Sequence, residues 1–251
     1  MNTPIPKPAV GIIGFGRFGP LLTRLLTEGY KVYAYDIEDI TARAVEAGAE
    51  VADWDQITSL ETLFLAVPIR HFKEVVSRLS STLKPGTTVM DVCSVKVYPA
   101  TVMKEHFPAG IHTIATHPLF GPDSGHHGFD GLPMMMSPVS ADGNVFESWK
   151  NYFQRVGLRV HVMPPEEHDQ LAARSQGITH FIGRVLQDYG ITPTAIDTEG
   201  FKDLQLVVEQ TCYDSIELFH DLENYNPYTV EMIDNLSRSI NQVKETIKRR
   251  N

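Results

Sequence analysis

The sequence predicts an α/β fold, with a mostly parallel sheet followed by a smaller all-α domain. Through the first 164 of the 251 residues, short apolar runs alternate with amphipathic helical segments. This alternation is typical of strands and helices that build a parallel sheet with helices on both faces. After Met163-Pro164-Pro165 only helical spacing continues. We therefore predict two domains, over residues 1–164 and 165–251.

Composition excludes several classes of protein. Hydrophobic residues make up 42% and charged residues 21%, which is ordinary for a globular protein. The net charge of −9 argues against a nucleic-acid-binding surface. No apolar run has the length of a membrane span, and the Pro-rich start does not resemble a signal peptide. Cys93 and Cys212 lie far apart without metal-ligand spacing, so we expect no disulfide, no metal and a reducing cytoplasm.

The first strand, expected over 9–13, runs into a glycine-rich turn. A leucine-rich helix follows, and a second strand over 31–36 then ends in an acid. The turn reads Gly14-Phe15-Gly16-Arg17-Phe18-Gly19. Strand, GxGxxG turn, helix, strand and acid in this order form the dinucleotide-binding fingerprint of a Rossmann-type domain. We expect Gly14 to make the turn, Gly16 to admit the pyrophosphate, and Gly19 to allow close packing of helix and strand.

Further residues complete the predicted cofactor site. Asp36 follows the turn by about twenty residues, where a carboxylate accepts from both ribose hydroxyls and repels a 2′-phosphate, so NAD is favoured over NADP. Arg17 either adds charge for the phosphates or is a solvated first-turn arginine. Phe18 of the turn, with Val67 and Pro68 at the end of a later apolar run, is also expected to line this site.

A strand expected over 112–115 leads to a histidine. Pro118 and a Gly/Pro-rich loop follow His117. Histidine titrates near neutral pH and can act as a general base, although His117 could instead cap the strand and bind backbone. Ser94 follows another strand, expected over 87–92. Functional groups collect at the carboxyl ends of parallel strands, so we favour a catalytic histidine beside a hydride acceptor.

Three helices are expected in the second domain. They cover 166–189, 201–222 and a stretch opened by Asn226 as N-cap and Pro227 as first helical residue. Their apolar faces are larger than three helices can cover among themselves. We therefore predict a homodimer.

Five separated motifs resemble the prephenate/arogenate dehydrogenase family of tyrosine biosynthesis, and the plant-type arogenate branch in particular. They lie at Asp91–Lys96, Thr116–Gly125, Ser175–His180, Pro193–Gly200 and Asn224–Pro227. The resemblance covers nearly the whole chain. It implies oxidative decarboxylation of a cyclohexadienol, with the C4 hydride passing to NAD.

The resemblance also implies roles for single residues. His117 would accept the proton of the substrate hydroxyl, and Ser94 would hydrogen-bond that hydroxyl, cap a helix, or do both. Asp123 would lie near the substrate. Gln176 and Thr179 are expected on one helix face, three residues apart, so that both point into the same site. Core or capping hydrogen bonds are the alternative for Thr179.

This chain departs from its relatives at two places. Many bacterial relatives have Ser-His-x-x-His where this chain has Gln176 and Thr179. The family's substrate-binding arginine is missing after Gly200-Phe201, and Lys202 is either its substitute or a solvated helix lysine.

Asp214 bears on the substrate. In the plant-like branch an acid at this position accompanies arogenate, whose ammonium it can pair with, whereas an amide accompanies prephenate. The sequence thus favours conversion of L-arogenate to L-tyrosine. Prephenate dehydrogenase, which gives 4-hydroxyphenylpyruvate, is the alternative. Two further alternatives remain. One is another β-hydroxyacid or imine dehydrogenase that uses NAD(P), and the other is a regulatory protein that senses the nucleotide.

Overall fold

The computed structural model describes residues 6–213 and 215–248. The chain divides into two compact units, Met1–Pro165 and Glu166–Asn251, which we call the sheet unit and the helical unit. No helix within the described ranges is both long and apolar enough to cross a membrane.

The sheet unit contains one eight-stranded sheet. Its strands are β1 Ala9–Ile13, β2 Lys31–Tyr35, β3 Glu50–Val51, β4 Thr62–Leu65, β5 Thr88–Asp91, β6 His112–Pro118, β7 Pro133–Pro138 and β8 Arg159–Val162. The helices between them are α1 Gly19–Leu26, α2 Thr41–Ala47, α3 Trp54–Thr58, α4 Ile69–Ser80, α5 Val97–His106, α6 Pro122–Gly125 and α7 Gly143–Arg155. The predicted α/β fold is confirmed.

The strand order is β3-β2-β1-β4-β5-β6-β7-β8. All neighbours are parallel except β6 and β7, which pair antiparallel. The order reverses at β1, which lies between β2 and β4. In open α/β sheets, ligands bind at such a switch point, outside the carboxyl ends of the strands. The glycine turn follows β1 directly, so it lies at that crevice.

The main core lies against one face of this sheet. Val10 and Ile12 of β1 are fully buried, as expected for a strand covered on both faces. Leu25 of α1 and the Trp149 and Phe153 rings of α7 belong to the same apolar cluster. Burying each such side chain contributes about 1.5–3 kcal/mol. This core packs α1 and α7 onto the sheet.

Strand β6 is longer than its apolar run predicts. The run ends at Ala115, but the strand continues to Pro118 because β7 pairs with it, His117 opposite Met135. His117 therefore lies inside a strand rather than in the following loop.

The helical unit consists of α8 Pro165–Ala172, a π-helical turn Ala173–Gly177, α9 Ile178–Tyr189, α10 Glu199–Cys212, α11 Ile216–Tyr225 and α12 Thr229–Lys248. The single helix expected over 201–222 is wrong, because α10 and α11 are separate. Ser215 caps the second of them, its Oγ accepting from the Leu218 N–H at 3.2 Å.

Asn226 does not open the last helix as its position before Pro227 suggested. It follows α11, and its Oδ1 accepts from the Tyr228 N–H at 3.0 Å. Its Nδ2 donates to the Asp169 carbonyl of α8 at 2.9 Å. A contact between helices, rather than a helix cap, explains this buried asparagine.

Candidate active site

The glycine turn after β1 has the geometry of a phosphate cradle. Gly14 has φ +91°, and a Cβ there would lie 2.6 Å from the Ala66 carbonyl oxygen, so only glycine fits. A Cβ on Gly16 would meet nothing within 4 Å, which leaves its backbone open to a ligand. A Cβ on Gly19 would lie 2.8 Å from the Phe15 ring. Close packing at Gly19 thus involves the turn itself rather than the neighbouring strand.

Asp36 lies directly beside this turn. The Phe15 N–H donates to Asp36 Oδ2 at 2.6 Å, and the Glu38 N–H donates to Oδ1 at 3.2 Å. A carboxylate offers about four acceptor sites, so acceptor capacity remains for ribose hydroxyls. The open backbone at Gly16 and this anchored carboxylate leave room and acceptor groups that fit a dinucleotide.

The other predicted cofactor residues surround the turn. Phe18 is the N-cap residue of α1, and Arg17 is exposed, so both interpretations of Arg17 stay open. Val67 approaches the turn, since its Cγ1 lies 2.8 Å from where a Cβ on Gly14 would be. Pro68 is exposed and precedes α4 as its N-cap residue.

His117 and Ser94 lie at the same carboxyl edge of the sheet. His117, on β6, is only 4% exposed. Ser94 is half-buried in the short segment after β5. The interpretation of Ser94 as a helix N-cap is wrong, because α5 begins at Val97 with Lys96 in the N-cap position. The role that the family resemblance implies for Ser94 stays a prediction.

A buried ion pair lies where the end of β5 meets β6, and it was not predicted from the sequence. Asp91 and Lys96 are both fully buried, and the Lys96 ammonium donates to Asp91 Oδ2 and to the Thr116 carbonyl. Asp91 also accepts the Cys93 N–H at 3.0 Å and the Thr116 N–H at 3.2 Å. Burial raises the pKa of the Asp91 carboxyl, while Lys96 and both N–H donors oppose that rise.

One signal in the sequence could have revealed this pair. An acid ends the buried run of β5, and a lysine follows it by five residues. Buried charges are almost always paired, so the two together suggest an internal ion pair.

Two predicted substrate residues of the helical unit, Gln176 and Thr179, lie in helical segments of different type. Gln176 lies in the π-helical turn, whereas Thr179 lies in α9 and donates to the Ser175 carbonyl at 3.0 Å. A π-turn has wider i→i+5 bonds, so the regular α-helical spacing does not extend through Gln176, and a shared site for the two side chains stays a prediction. Among the described residues, Gln176 Oε1 is buried without a hydrogen-bond partner.

Three further predicted substrate residues have different outcomes. Lys202 forms an exposed ion pair with Glu199 at 2.7 Å, which favours a solvated helix lysine over a ligand-binding one. Asp214 and the Asp123 side chain lie outside the described part of the structure. Within the described ranges, no group of three His, Cys, Asp or Glu residues could hold a metal ion.

A cavity of about 540 Å³ in the sheet unit lies away from these residues. It is lined by residues around the start of β6, including Lys104, His112 and Asp142. That is the opposite end of the strand from His117, so we do not assign it to the active site.

Comparison with known proteins places the chain in a family. Residues 22–162 match the family model described as prephenate dehydrogenase, nucleotide-binding domain. Residues 185–251 match the model described as TYRAAT1-like, C-terminal domain. The chain belongs to the prephenate and arogenate dehydrogenase family. The resemblance carried by the five motifs is thereby confirmed, and the sheet unit contains the family's nucleotide-binding domain.

Curated members of this dehydrogenase family match most of the chain. Arogenate dehydrogenase 2, chloroplastic, of Arabidopsis thaliana is 30% identical over 95% of this chain and 69% of its own length. Arogenate dehydrogenase 1, chloroplastic, of the same plant is 33% identical over 94% of this chain. The chain spans only 38% of the length of that second relative.

Solved structures of the same dehydrogenase family share the fold. Prephenate dehydrogenase from Aquifex aeolicus, in complex with hydroxyphenyl propionate and NAD+, aligns with a TM-score of 0.79 at 22% identity. That alignment covers 98% of this chain and 93% of the other. Synechocystis arogenate dehydrogenase aligns with a TM-score of 0.73 at 20% identity, over 96% of this chain and 92% of the other.

Proposed function

We propose that this chain is an NAD-dependent arogenate dehydrogenase that converts L-arogenate to L-tyrosine. The observation that carries the proposal is that a buried histidine, His117, and a dinucleotide cradle, Gly14 to Gly19 with Asp36, lie at one edge of one sheet. Family membership supports the reaction class. The names of the two Arabidopsis relatives support the substrate.

The mechanism assigns separate tasks to this chain's residues. Bound NAD supplies the hydride acceptor for C4 of the substrate. His117 accepts the proton of the C4 hydroxyl, and its burial keeps bulk water from competing for that proton. Ser94 hydrogen-bonds the same hydroxyl and orients it towards His117. The resulting dienone loses carbon dioxide, because decarboxylation makes the ring aromatic.

Cofactor preference is assigned to Asp36. Its carboxylate lies beside the turn, where a 2′-phosphate would meet like charge. We expect kcat/KM to be higher with NAD than with NADP.

Substrate choice is assigned to residues of the helical domain, which we place over 165–251, after the nucleotide-binding domain at 1–164. We propose that Asp214 pairs with the arogenate ammonium and that Gln176 and Thr179 are further substrate contacts of this domain. Asp123 is proposed as a substrate contact of the nucleotide-binding domain. Prephenate carries a keto group instead of the ammonium and would leave the Asp214 carboxylate without a partner. Asp214→Asn should therefore shift preference towards prephenate.

We also propose a homodimer. The last helix, α12, exposes Ile240, Val243 and Ile247 at helical spacing, between 51% and 64% each. Such a stripe is typical of a helix that packs against another. Light scattering should give twice the chain mass. Because Cys93 and Cys212 lie far apart in the sequence and have no metal-ligand spacing, we place the protein in a reducing compartment, the cytoplasm, which cell fractionation would check.

One paired assay tests the function. NADH formation is measured with arogenate and with prephenate, each with NAD and NADP, for the wild type and His117→Asn. We expect arogenate with NAD to be the best pair. His117→Asn should lower kcat by about 10²–10⁴-fold, because a general base contributes that much. His161→Asn, at an exposed histidine of β8, is the matched control.

Three other results would each contradict one part of the proposal. A higher kcat/KM with prephenate would contradict the substrate assignment, and a loss of only a few-fold in His117→Asn would contradict the base. If no dinucleotide is reduced with either substrate, the proposed reaction is wrong.

A further inference from the structure

The buried Asp91–Lys96 pair lies outside the reaction described above, and its contacts point to a task. We infer that Asp91 and Lys96 are positioning residues that fix the backbone on either side of Thr116, and so hold the His117 imidazole against the substrate hydroxyl. The inference rests on the proposed role of His117 as the base.

The pair holds both polar backbone groups of Thr116. The Thr116 N–H donates to Asp91 Oδ1 at 3.2 Å, and the Thr116 carbonyl accepts from the Lys96 ammonium. That carbonyl belongs to the peptide group that enters His117. A peptide group is planar, so holding its oxygen also sets the direction of the His117 N–Cα bond.

The position of the pair explains why side chains are needed there. Strands β5 and β6 pair in register only as far as Asp91 opposite Ala115. Beyond that point, the next residue of β6 is held from the β5 side by the Asp91 and Lys96 side chains. On its other side β6 is paired with β7 through Pro118, and a residue that precedes proline is already confined to extended conformations. The backbone at His117 is thus constrained from the β5 side, through Thr116, and from the β7 side, through strand pairing.

The energetics also point to a task beyond stability. Two ions at 0% exposure carry a large desolvation penalty, and apolar residues of similar size are often as stable or more so. A directional contact to the Thr116 carbonyl, however, needs a donor such as the ammonium. The same short segment carries Ser94 two residues before Lys96, so one anchor also ties Ser94 to the histidine strand.

Four variants test the inference: Lys96→Met, Lys96→Arg, the double variant Asp91→Asn/Lys96→Met, and Lys104→Met as an exposed control on α5. We expect Lys96→Met to lower kcat by about 10–100-fold, because a misplacement of about 1 Å costs that order of rate. The KM for arogenate and the Kd for NAD should change by less than about threefold, since the pair contacts neither in this assignment. Lys96→Arg should recover part of kcat because it keeps a donor and a charge.

The double variant separates positioning from stability. It removes both charges together, so its Tm should return towards that of the wild type, whereas its kcat should stay low. Recovery of kcat together with Tm would overturn the inference. A rise in KM with unchanged kcat in Lys96→Met would do so as well, because it would make Lys96 a substrate contact.

A second readout does not depend on turnover. Amide hydrogen exchange over 112–118 should become faster in Lys96→Met and in the double variant, while exchange over β4 stays unchanged. Unchanged exchange in 112–118 would overturn the inference. If the wild type lacks dehydrogenase activity, the proposed function fails, but this exchange measurement still decides whether the pair holds the strand.

Discussion

Both units bury carboxyl groups, and two of these, Asp91 and Glu223, have opposite surroundings. Asp91 of the sheet unit accepts from an ammonium and two backbone N–H groups. Glu223 of the helical unit is 7% exposed, and among the described residues neither of its carboxyl oxygens has a hydrogen-bond partner. Burial raises the pKa of Glu223 to about 7, and the nearby Thr229 hydroxyl offsets only part of that rise.

The difference shows how a buried carboxyl can be tolerated in two ways. At Asp91 the protein supplies donors, and the carboxyl orders the strand that carries His117. At Glu223 the Thr229 hydroxyl offsets only part of the cost of burial, so the carboxyl retains its proton up to near neutral pH. Its Oε2 lies 3.6 Å from where a Cβ on Gly177 would be, at the end of the π-helical turn. The same chemical group thus orders a strand in one unit, whereas in the other it makes the stability depend on pH close to neutrality.

Replacing a carboxyl by its amide should have its largest effect on stability at Asp91. Asp91→Asn leaves the Lys96 ammonium buried without its counter-charge. We expect the free energy of unfolding to fall by about 3–5 kcal/mol. Urea denaturation at pH 7 measures this loss. A loss below about 1 kcal/mol would show that the buried Lys96 ammonium does not depend on Asp91 as its counter-charge.

The same replacement at Glu223 should change the free energy of unfolding in the opposite direction. The folded pKa of about 7 lies above the ordinary value of 4.5, so the folded chain binds more protons between these pH values. Stability therefore falls as the pH rises from about 4.5 to 7 and stays reduced above that. Glu223→Gln should remove this fall and raise the free energy of unfolding at pH 8 by about 1–2 kcal/mol, with little change at pH 4.5.

Unfolding of Glu223→Gln and the wild type across pH 4 to 8 checks this. Glu209→Gln, at an exposed position of α10, is the matched control and should leave the pH profile unchanged. Equal pH slopes in Glu223→Gln and the wild type would contradict the assignment of the pH dependence to Glu223.

The smallest effect is expected at an exposed carboxylate of the same unit. Glu199 pairs with Lys202 at 2.7 Å, with the two side chains 87% and 53% exposed. Glu199→Gln should cost less than about 1 kcal/mol, because water and salt screen such a pair. Thermal unfolding at low and high salt tests this. A loss as large as that at Asp91 would mean that burial does not explain the ranking.

Local patterns predicted the fold well where neighbours in sequence determine the structure. Strand β1, the glycine turn and β2 follow from a short apolar run, glycines and an acid within one βαβ unit. Local patterns gave wrong predictions where contacts with a distant segment determine the structure. Asn226 before Pro227 looks like a helix start, but its side chain bonds the Asp169 carbonyl instead. The helix expected over 201–222 ends at Cys212.

The candidate site divides in the same way. His117 and Ser94 could be proposed from strand ends and from the family resemblance. The role of Asp91 and Lys96 could not, because it depends on the register of β5 and β6, in which the side chains meet the backbone of Thr116, 25 and 20 residues away. The relation between Gln176 and Thr179 depends on a π-turn, for which the helical spacing contains no signal.

The sequence by itself determined the alternation of elements, the dinucleotide turn and the family, because these depend on periodicity, backbone freedom at glycine and ordered motifs. Only the tertiary structure decided that β6 extends through His117 and that Asp91 is satisfied while Glu223 is not. The physical reason is that burial, strand pairing and the partners of a buried charge are set by segments that meet only when the chain has folded.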